Sequence, residues 1–140
     1  IIGLDLDKDP EILVPAYNDS RGVTAAFNLN LLARLNRELG ADFNLDQFRH
    51  RAIYNQGAHR MEMHLVSLRD QTVRVGPHAI HLRDGEHIRS EYSHKFSREQ
   101  FSALAEAAGL RVRQVWSDPD DLFSVQYLTP RTHPGIRRPE

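Results

Sequence analysis

Residues 87–96 read His-Ile-Arg-Ser-Glu-Tyr-Ser-His-Lys-Phe, and this stretch decides the fold because it is typical of an extended strand. Side chains alternate between the two faces of a strand, so Glu91 and Ser93 are predicted to share one face, about 6.5 to 7 Å apart. A carboxylate accepts hydrogen bonds and a hydroxyl donates or accepts them, so the pair could satisfy both nitrogens of a neutral imidazole. A solvated strand face has the same composition, and the pattern alone leaves that alternative open.

The segment that follows predicts one helix and two strands. Ser97-Arg98-Glu99-Gln100 fits a capping box, and the helix that it opens is expected to stop at Gly109. Strands are predicted at 110–116 and 123–128, with a turn at 118–121 between them.

The segment that precedes residue 87 predicts a small antiparallel sheet. Apolar residues occupy the odd positions of 61–65, which is the period of a half-buried strand. Further strands are predicted at 71–75 and 78–82. Arg83-Asp84-Gly85-Glu86 reads as a hairpin turn that pairs the strand from His87 with the strand before it.

Two helices are predicted near the start of the chain. Asp9-Pro10 is a helix start, since Asp caps N–H groups and Pro presets the first helical residue, and this helix is expected to run to Tyr17. A longer helix is expected after a cap at Asp19 or Ser20, and Gly40 ends it. With the strands, the pattern predicts an α+β fold.

Composition excludes several classes of function. The chain has 140 residues, enough for one compact domain, and its 18 Lys and Arg against 19 Asp and Glu argue against nucleic acid or a membrane surface as a partner. No cysteine is present, which excludes disulfides and thiolate metal sites within this chain and suits a cytoplasmic protein. No apolar run approaches the roughly 20 residues of a membrane helix.

The two ends of the chain predict a strand at the start and a tail at the end. The chain opens with Ile1-Ile2-Gly3-Leu4-Asp5, which resembles a buried strand, and we expect it to be a fragment of a longer protein. Residues 130–140, rich in proline and arginine, are predicted to be a flexible tail. A fragment that exposes strand edges is expected to self-associate.

Ordered motifs along the chain resemble one family. They are Asp9-Pro10, Ala16-Tyr17, Gly22-Val23-Thr24-Ala25-Ala26-Phe27-Asn28, Asn36-Arg37-Glu38-Leu39, Met61-Glu62-Met63 and Glu91-Tyr92-Ser93-His94-Lys95-Phe96. In this order and spacing they resemble the S-adenosylmethionine-dependent histidine N-alpha-methyltransferases of ergothioneine biosynthesis.

The resemblance implies a division of the chain. Residues 1–8 would be the fifth strand of a class I methyltransferase core with a Rossmann-like α/β sheet, residues 9–96 an inserted substrate-binding domain, and residues 97–129 the last helix and strand pair of the core. The cofactor, S-adenosylmethionine, would be held mainly by a preceding half that this sequence does not contain. The fragment alone is therefore expected to be inactive, and its cofactor contacts stay unknown.

The resemblance also implies roles for five residues. Glu91 and Ser93 match the pair that grips the substrate imidazole, and Met63 matches a residue that packs beside the ring. Tyr17 matches a tyrosine that faces the substrate carboxylate, and Thr24 matches a threonine near the same site. The substrate would be L-histidine, methylated on its α-amino group towards the trimethylated betaine, hercynine.

Other functions remain open at the level of sequence. The chain could be a non-catalytic amino-acid-binding module, or part of a related methyltransferase for a different amine. His78, His81, His87 and His94 invite a metal hypothesis, but strand alternation separates them and leaves only His81 and His87 beside Glu91. We predict no metal site.

Overall fold

A computed structural model describes residues 1–131, and they form the predicted α+β fold. The predicted flexible tail lies outside the described residues from residue 132 onward. The helices are α1 (Pro10–Tyr17), α2 (Val23–Leu39) and α3 (Arg98–Ala107). The strands are β1 (Ile2–Asp5), β2 (Phe48–Asn55), β3 (Arg60–Ser67), β4 (Gln71–Val75), β5 (His78–Leu82), β6 (His87–His94), β7 (Leu110–Ser117) and β8 (Phe123–Pro130).

The chain divides into two compact units. One unit is Asp9–Ser93, which contains α1, α2 and most of the strands. The other joins Ile1–Lys8 to residues 94–131. Each unit has a separate hydrophobic core, and each is described by itself below.

The local signals for the helix ends are confirmed. The Asp9 carboxylate accepts a hydrogen bond from the Glu11 N–H at the start of α1. At α2 the N-cap residue is Gly22 rather than the predicted Asp19 or Ser20, but the Asp19 carboxylate still accepts hydrogen bonds from the N–H groups of Val23 and Thr24. Gly40 ends α2 in the left-handed conformation, with φ at 63°, where glycine has no steric penalty.

The sheet of unit Asp9–Ser93 has the order β2-β3-β6, and both helices pack on its apolar face. Leu13 of α1 packs against Ala52, Met61 and Met63. Leu32 of α2 lies in a second cluster with Leu65, and its exposed fraction is 0%. Side chains of strand β3 therefore contribute to both clusters.

The predicted half-buried character of β3 is wrong. Met61, Met63 and Leu65 face the helices as expected, but Glu62 and His64 on the opposite face are also buried, with exposed fractions of 5% and 4%. The reason is that β3 is the central strand, and side chains from its neighbours cover its polar face. Polar residues at alternate positions of β3 therefore do not indicate that this face of the strand is exposed to solvent.

The predicted hairpin at residues 83–86 is also wrong. Strand β5 pairs with β4 in a separate two-stranded sheet, and β6 pairs with β3. Gly76 and Pro77 form the tight turn between β4 and β5, where Gly76 has a φ of 55°. Residues 83–86 instead dock on the end of β3, because the Ser67 N–H donates to the Glu86 carbonyl and the Gly85 N–H to the Ser67 carbonyl.

The second unit contains an antiparallel sheet of order β1-β8-β7 with α3 packed on it. The predicted capping box of α3 is confirmed: Ser97 accepts from the Gln100 N–H, and the Gln100 side chain accepts from the Ser97 N–H. Lys95 is fully buried and donates to the Asp5 carboxylate over 2.5 Å. None of the described helices is long and apolar enough to cross a membrane.

Candidate functional site

A cavity of about 170 Å³ opens between α2 and β6 in unit Asp9–Ser93. A water molecule occupies about 30 Å³ in the liquid, so the cavity has room for a small organic ligand. Its lining residues come from one side of α2 and from the neighbouring strands: Phe27, Asn28, Asn30, Leu31, Arg34, Met63, Ser90 and Glu91. The wall therefore mixes apolar side chains with a few polar groups, which is the usual composition of a ligand site.

Glu91 and Met63 both line this cavity. Met63 is almost completely buried, while Glu91 is exposed. Within residues 1–131 the Glu91 carboxylate has no hydrogen-bond or ion-pair partner, so its oxygens can accept hydrogen bonds from a ligand. Phe27 stands at the same wall with 66% of its surface exposed, which is unusual for a large apolar side chain.

Tyr17 and Ser93 form a second group in the same unit. Their hydroxyl oxygens lie 2.8 Å apart and share a hydrogen bond, in which either can be the donor. The Tyr17 ring packs against the cluster that contains Met61 and Met63, so the C-terminal end of α1 is held next to the sheet. The structure thus brings Tyr17 and Ser93 together and brings Glu91 and Met63 to one cavity.

Thr24 is placed differently from the other four residues. It lies at the start of α2, where its N–H donates to Asp19 over 2.8 Å, and it is not among the residues that line the cavity. Hydrogen bonds from the backbone of Thr24 and Val23 and from the Thr24 hydroxyl hold the pKa of the Asp19 carboxyl at about 2. This geometry accounts for Thr24 as a helix-start residue, and its proposed place near a substrate stays a prediction.

Strand β6 departs from regular alternation between Ser90 and Glu91. The residues at 87, 89 and 92 lie on the polar face of β3: the His87 ring stacks on His64, and Arg60 and Arg89 both lie over the Tyr92 ring. The residues at 90, 91 and 93 face the helices, where they meet Asn28, the cavity and Tyr17. Two adjacent residues on one face are the signature of a β-bulge.

The polar face of β3 carries a compact ionic cluster. The Glu62 carboxylate accepts from Arg60, Asn55 and His64 at 2.8 to 3.2 Å. Burial alone would raise the pKa of the Glu62 carboxyl, but these donors outweigh it and hold that pKa at about 2. Burial lowers the pKa of His64, and the cluster therefore favours an ionised Glu62 beside a neutral His64.

Sequence reasoning missed Asn28, which is 2% exposed and bonded to three groups around the cavity. Its one signal was an amide side chain within an otherwise apolar helix stripe. The described residues contain no group of three or more metal-ligating side chains positioned to hold a metal ion. His81 instead contacts Thr72, and His87 stacks on His64.

A cavity of this size with an accessible carboxylate and a wall of mixed apolar and polar side chains has the features of a site for a small polar molecule. Residues 1–130 match the family described as histidine-specific, S-adenosylmethionine-dependent methyltransferases, and the chain belongs to that family.

Similar curated proteins agree with the family. The chain is 46% identical over 127 residues to a histidine N-alpha-methyltransferase of Mycolicibacterium smegmatis, a match that covers 89% of this chain and 40% of the relative. It is 44% identical over 120 residues to a histidine N-alpha-methyltransferase of Mycobacterium tuberculosis, covering 84% of the chain and 37% of the relative. Ergothioneine biosynthesis protein 1 of Neurospora crassa is 29% identical over 120 residues, covering 84% of the chain and 13% of the relative.

The chain spans about two fifths of the length of the two mycobacterial relatives.

Proposed function

We propose that this chain is the substrate-binding portion of a methyltransferase that acts on the α-amino group of L-histidine. The observation that carries the proposal is the carboxylate of Glu91, which has no partner within residues 1–131 and lies on the wall of a cavity that Met63 also lines, in a member of a histidine-specific family. In this proposal residues 1–8 and 97–129 belong to a class I core, and residues 9–96 form the inserted substrate domain.

Glu91 and Ser93 would hold the imidazole between them. When the Tyr17 hydroxyl donates to Ser93, the Ser93 oxygen accepts and its own proton can be donated to the bare ring nitrogen. The ring N–H is then donated to Glu91. This arrangement selects a neutral imidazole with one N–H and one lone pair, and a ring without both groups would leave the carboxylate or hydroxyl unsatisfied.

Met63 and Tyr17 would complete the grip on the substrate. A thioether is polarizable and packs well at the edge of an aromatic ring, which suits Met63 beside the imidazole. The resemblance also implies that Tyr17 faces the substrate carboxylate; because its one proton is donated to Ser93 in this arrangement, a hydrogen bond to that carboxylate would require the proton to turn away from Ser93. Thr24 is proposed near the same end of the substrate. With both ends of the amino acid fixed, the α-nitrogen can turn after each transfer, as repeated methylation towards the trimethylated betaine requires.

S-adenosylmethionine, bound mainly by residues outside this chain, would supply an electrophilic methyl group. Glu91, Ser93 and Tyr17 act in this proposal as anchors that orient the amino acid, and much of the rate enhancement would come from that positioning. Without the cofactor half, residues 1–140 are not expected to methylate histidine.

The experiment uses the complete protein that carries this chain, with L-histidine and S-adenosylmethionine. We expect methylated histidine as the product by mass spectrometry. The variant Glu91→Ala should weaken histidine binding about ten- to a hundredfold, because it removes a hydrogen bond to a charged group. Glu106→Gln, an exposed glutamate on α3, is the control and should bind as the parent does.

Two results would contradict the proposal. If histidine stays unmodified in the presence of cofactor and complete protein, the proposed specificity for histidine is wrong. Methylation of another amine would identify that amine as the substrate instead. If the Glu91→Ala variant binds L-histidine as tightly as the parent does, Glu91 does not bind the imidazole. Histidine binding without any methyl transfer would support the amino-acid-binding module.

A further inference from the structure

Three buried or half-buried polar residues connect the elements that surround the cavity. Asn28 of α2, His50 of β2 and Ser90 of β6 form a chain of hydrogen bonds, called the Asn28 network below. The Ser90 hydroxyl lies 2.5 Å from Asn28 Oδ1, and the Asn28 amide nitrogen lies 2.9 Å from His50 Nδ1. His50 Nε2 lies 2.7 Å from the Tyr17 carbonyl oxygen.

The partners determine the direction of each hydrogen bond. The Tyr17 carbonyl can only accept, so His50 Nε2 carries a proton. The Asn28 amide nitrogen faces the His64 carbonyl at 3.2 Å, which also can only accept, so this nitrogen donates there and to His50 Nδ1. His50 Nδ1 is therefore bare, and Asn28 Oδ1 accepts from Ser90. His50 is thus neutral and protonated on Nε2, and the single Ser90 proton is shared between Asn28 Oδ1 at 2.5 Å and the Met63 carbonyl at 3.0 Å.

The network ends at the backbone of the predicted ligand-binding residues. His50 donates to the carbonyl of Tyr17, and the Ser90 hydroxyl lies 3.0 Å from the carbonyl of Met63. Ser90 directly precedes Glu91, at the point where β6 departs from regular alternation. Three separate elements that carry Tyr17, Met63 and Glu91 are thus tied to one buried amide.

Packing alone does not explain an amide at this position. Asn28 and Leu32 are the buried residues of α2, and an apolar side chain at 28 would fill the space without any polar group to satisfy. A buried amide is tolerated only when its hydrogen bonds are made, and here they are made to the elements that carry the ligand contacts.

Building on the proposed function, we propose that Asn28, His50 and Ser90 are positioning residues of the histidine site. They hold the irregular turn of β6 that directs Glu91 into the cavity, and they fix the end of α1 that carries Tyr17. They act through Glu91 and Tyr17: Asn28 and Ser90 also line the cavity, but their side-chain polar groups are engaged in the network.

The first test measures the network itself in the full chain of residues 1–140, without any ligand. Histidine side chains are labelled with ¹⁵N, and long-range ¹H–¹⁵N spectra report which ring nitrogen carries the proton. The signal of His50 is identified by its loss in His50→Gln. We expect a neutral ring protonated on Nε2, and a ring protonated on Nδ1 would overturn the network.

The second test separates positioning from stability. Ser90→Ala should weaken the binding of L-histidine about three- to tenfold by NMR titration, because one hydrogen bond to the network is lost. Ser90→Thr restores the hydroxyl and should bind within about twofold of the parent. Ser67→Ala is the matched control: Ser67 is 1% exposed and bonded to Arg69 and Gln71, away from the cavity.

The control distinguishes the outcomes. Ser67→Ala should lower the melting temperature and leave histidine affinity unchanged. If Ser67→Ala and Ser90→Ala lose affinity equally, the loss comes from general destabilisation, and the positioning role of Ser90 is wrong. If the parent does not bind histidine, the proposed function fails for this chain. The positioning claim is then read from the amide shifts around Tyr17, which is remote in sequence: they should move in Ser90→Ala but not in Ser67→Ala, and unmoved shifts overturn it.

Discussion

The substitution Glu62→Gln tests the ionic cluster on the polar face of β3. The pKa of the Glu62 carboxyl lies at about 2 in the fold, against 4.5 for the ordinary side chain. Each unit of difference corresponds to about 1.4 kcal/mol, so the ionised carboxylate contributes about 3 kcal/mol to the free energy of unfolding at neutral pH. Glutamine has the shape of the protonated acid and loses this contribution.

The sign of the pH dependence follows from the lowered pKa. Because the folded carboxyl holds its proton less strongly than the unfolded one, the stabilisation is complete above about pH 4.5 and is lost as the pH falls towards 2. Urea unfolding of parent and variant should therefore differ by about 3 kcal/mol at pH 7 and by roughly half of that at pH 3. Other carboxyls titrate in both proteins and cancel in this difference.

Two results would refute the cluster as described. A difference below about 1 kcal/mol at pH 7 would mean that the donors from Arg60, Asn55 and His64 do not outweigh the burial of Glu62. A difference that is the same at pH 7 and pH 3 would mean that the carboxylate charge is not its source. Glu106→Gln, an exposed site, serves as the control and should leave unfolding unchanged at both pH values.

Two further predictions concern the unit that contains Ile1–Lys8. Asp5→Asn should lower the free energy of unfolding by about 1.5 to 3 kcal/mol in urea titrations, because it removes the charge that the buried Lys95 ammonium meets at 2.5 Å; an unchanged midpoint would contradict the pairing. The chain should also self-associate, since β1 and β7 are edge strands and Trp116, Phe123 and Tyr127 are about half exposed. Light scattering should show a mass that rises with concentration, whereas a constant monomer mass would exclude this.

Signals carried by a few adjacent residues predicted the helices well. Asp9-Pro10, Gly40 and the Ser97 capping box act through hydrogen bonds and dihedral angles within one turn of the chain, so the sequence contains all that determines them. The motifs of the family were equally visible, because their order and spacing are properties of the sequence itself.

Features that depend on distant partners were predicted poorly. The partner of β6 is β3, and nothing in residues 83–86 distinguishes a turn that forms a hairpin from one that docks on a third strand. Glu62 and His64 look solvent-facing until the donors and rings that cover them are known. The sequence shows Asn28 only as an amide within an apolar helix stripe, because its three partners come from β2, β3 and β6.

The irregularity between Ser90 and Glu91 gives one strand two independent surfaces. In a regular strand all odd-numbered residues share a face, so His87 and Arg89 would compete with Glu91 and Ser93 for the same side. One extra residue changes the parity halfway along β6, so that His87 stacks on His64 while Glu91 lines the cavity and Ser93 contacts Tyr17. Substitutions at 91 and 93 can therefore change the surface that faces the helices without altering the polar face of β3, and the two surfaces can evolve independently.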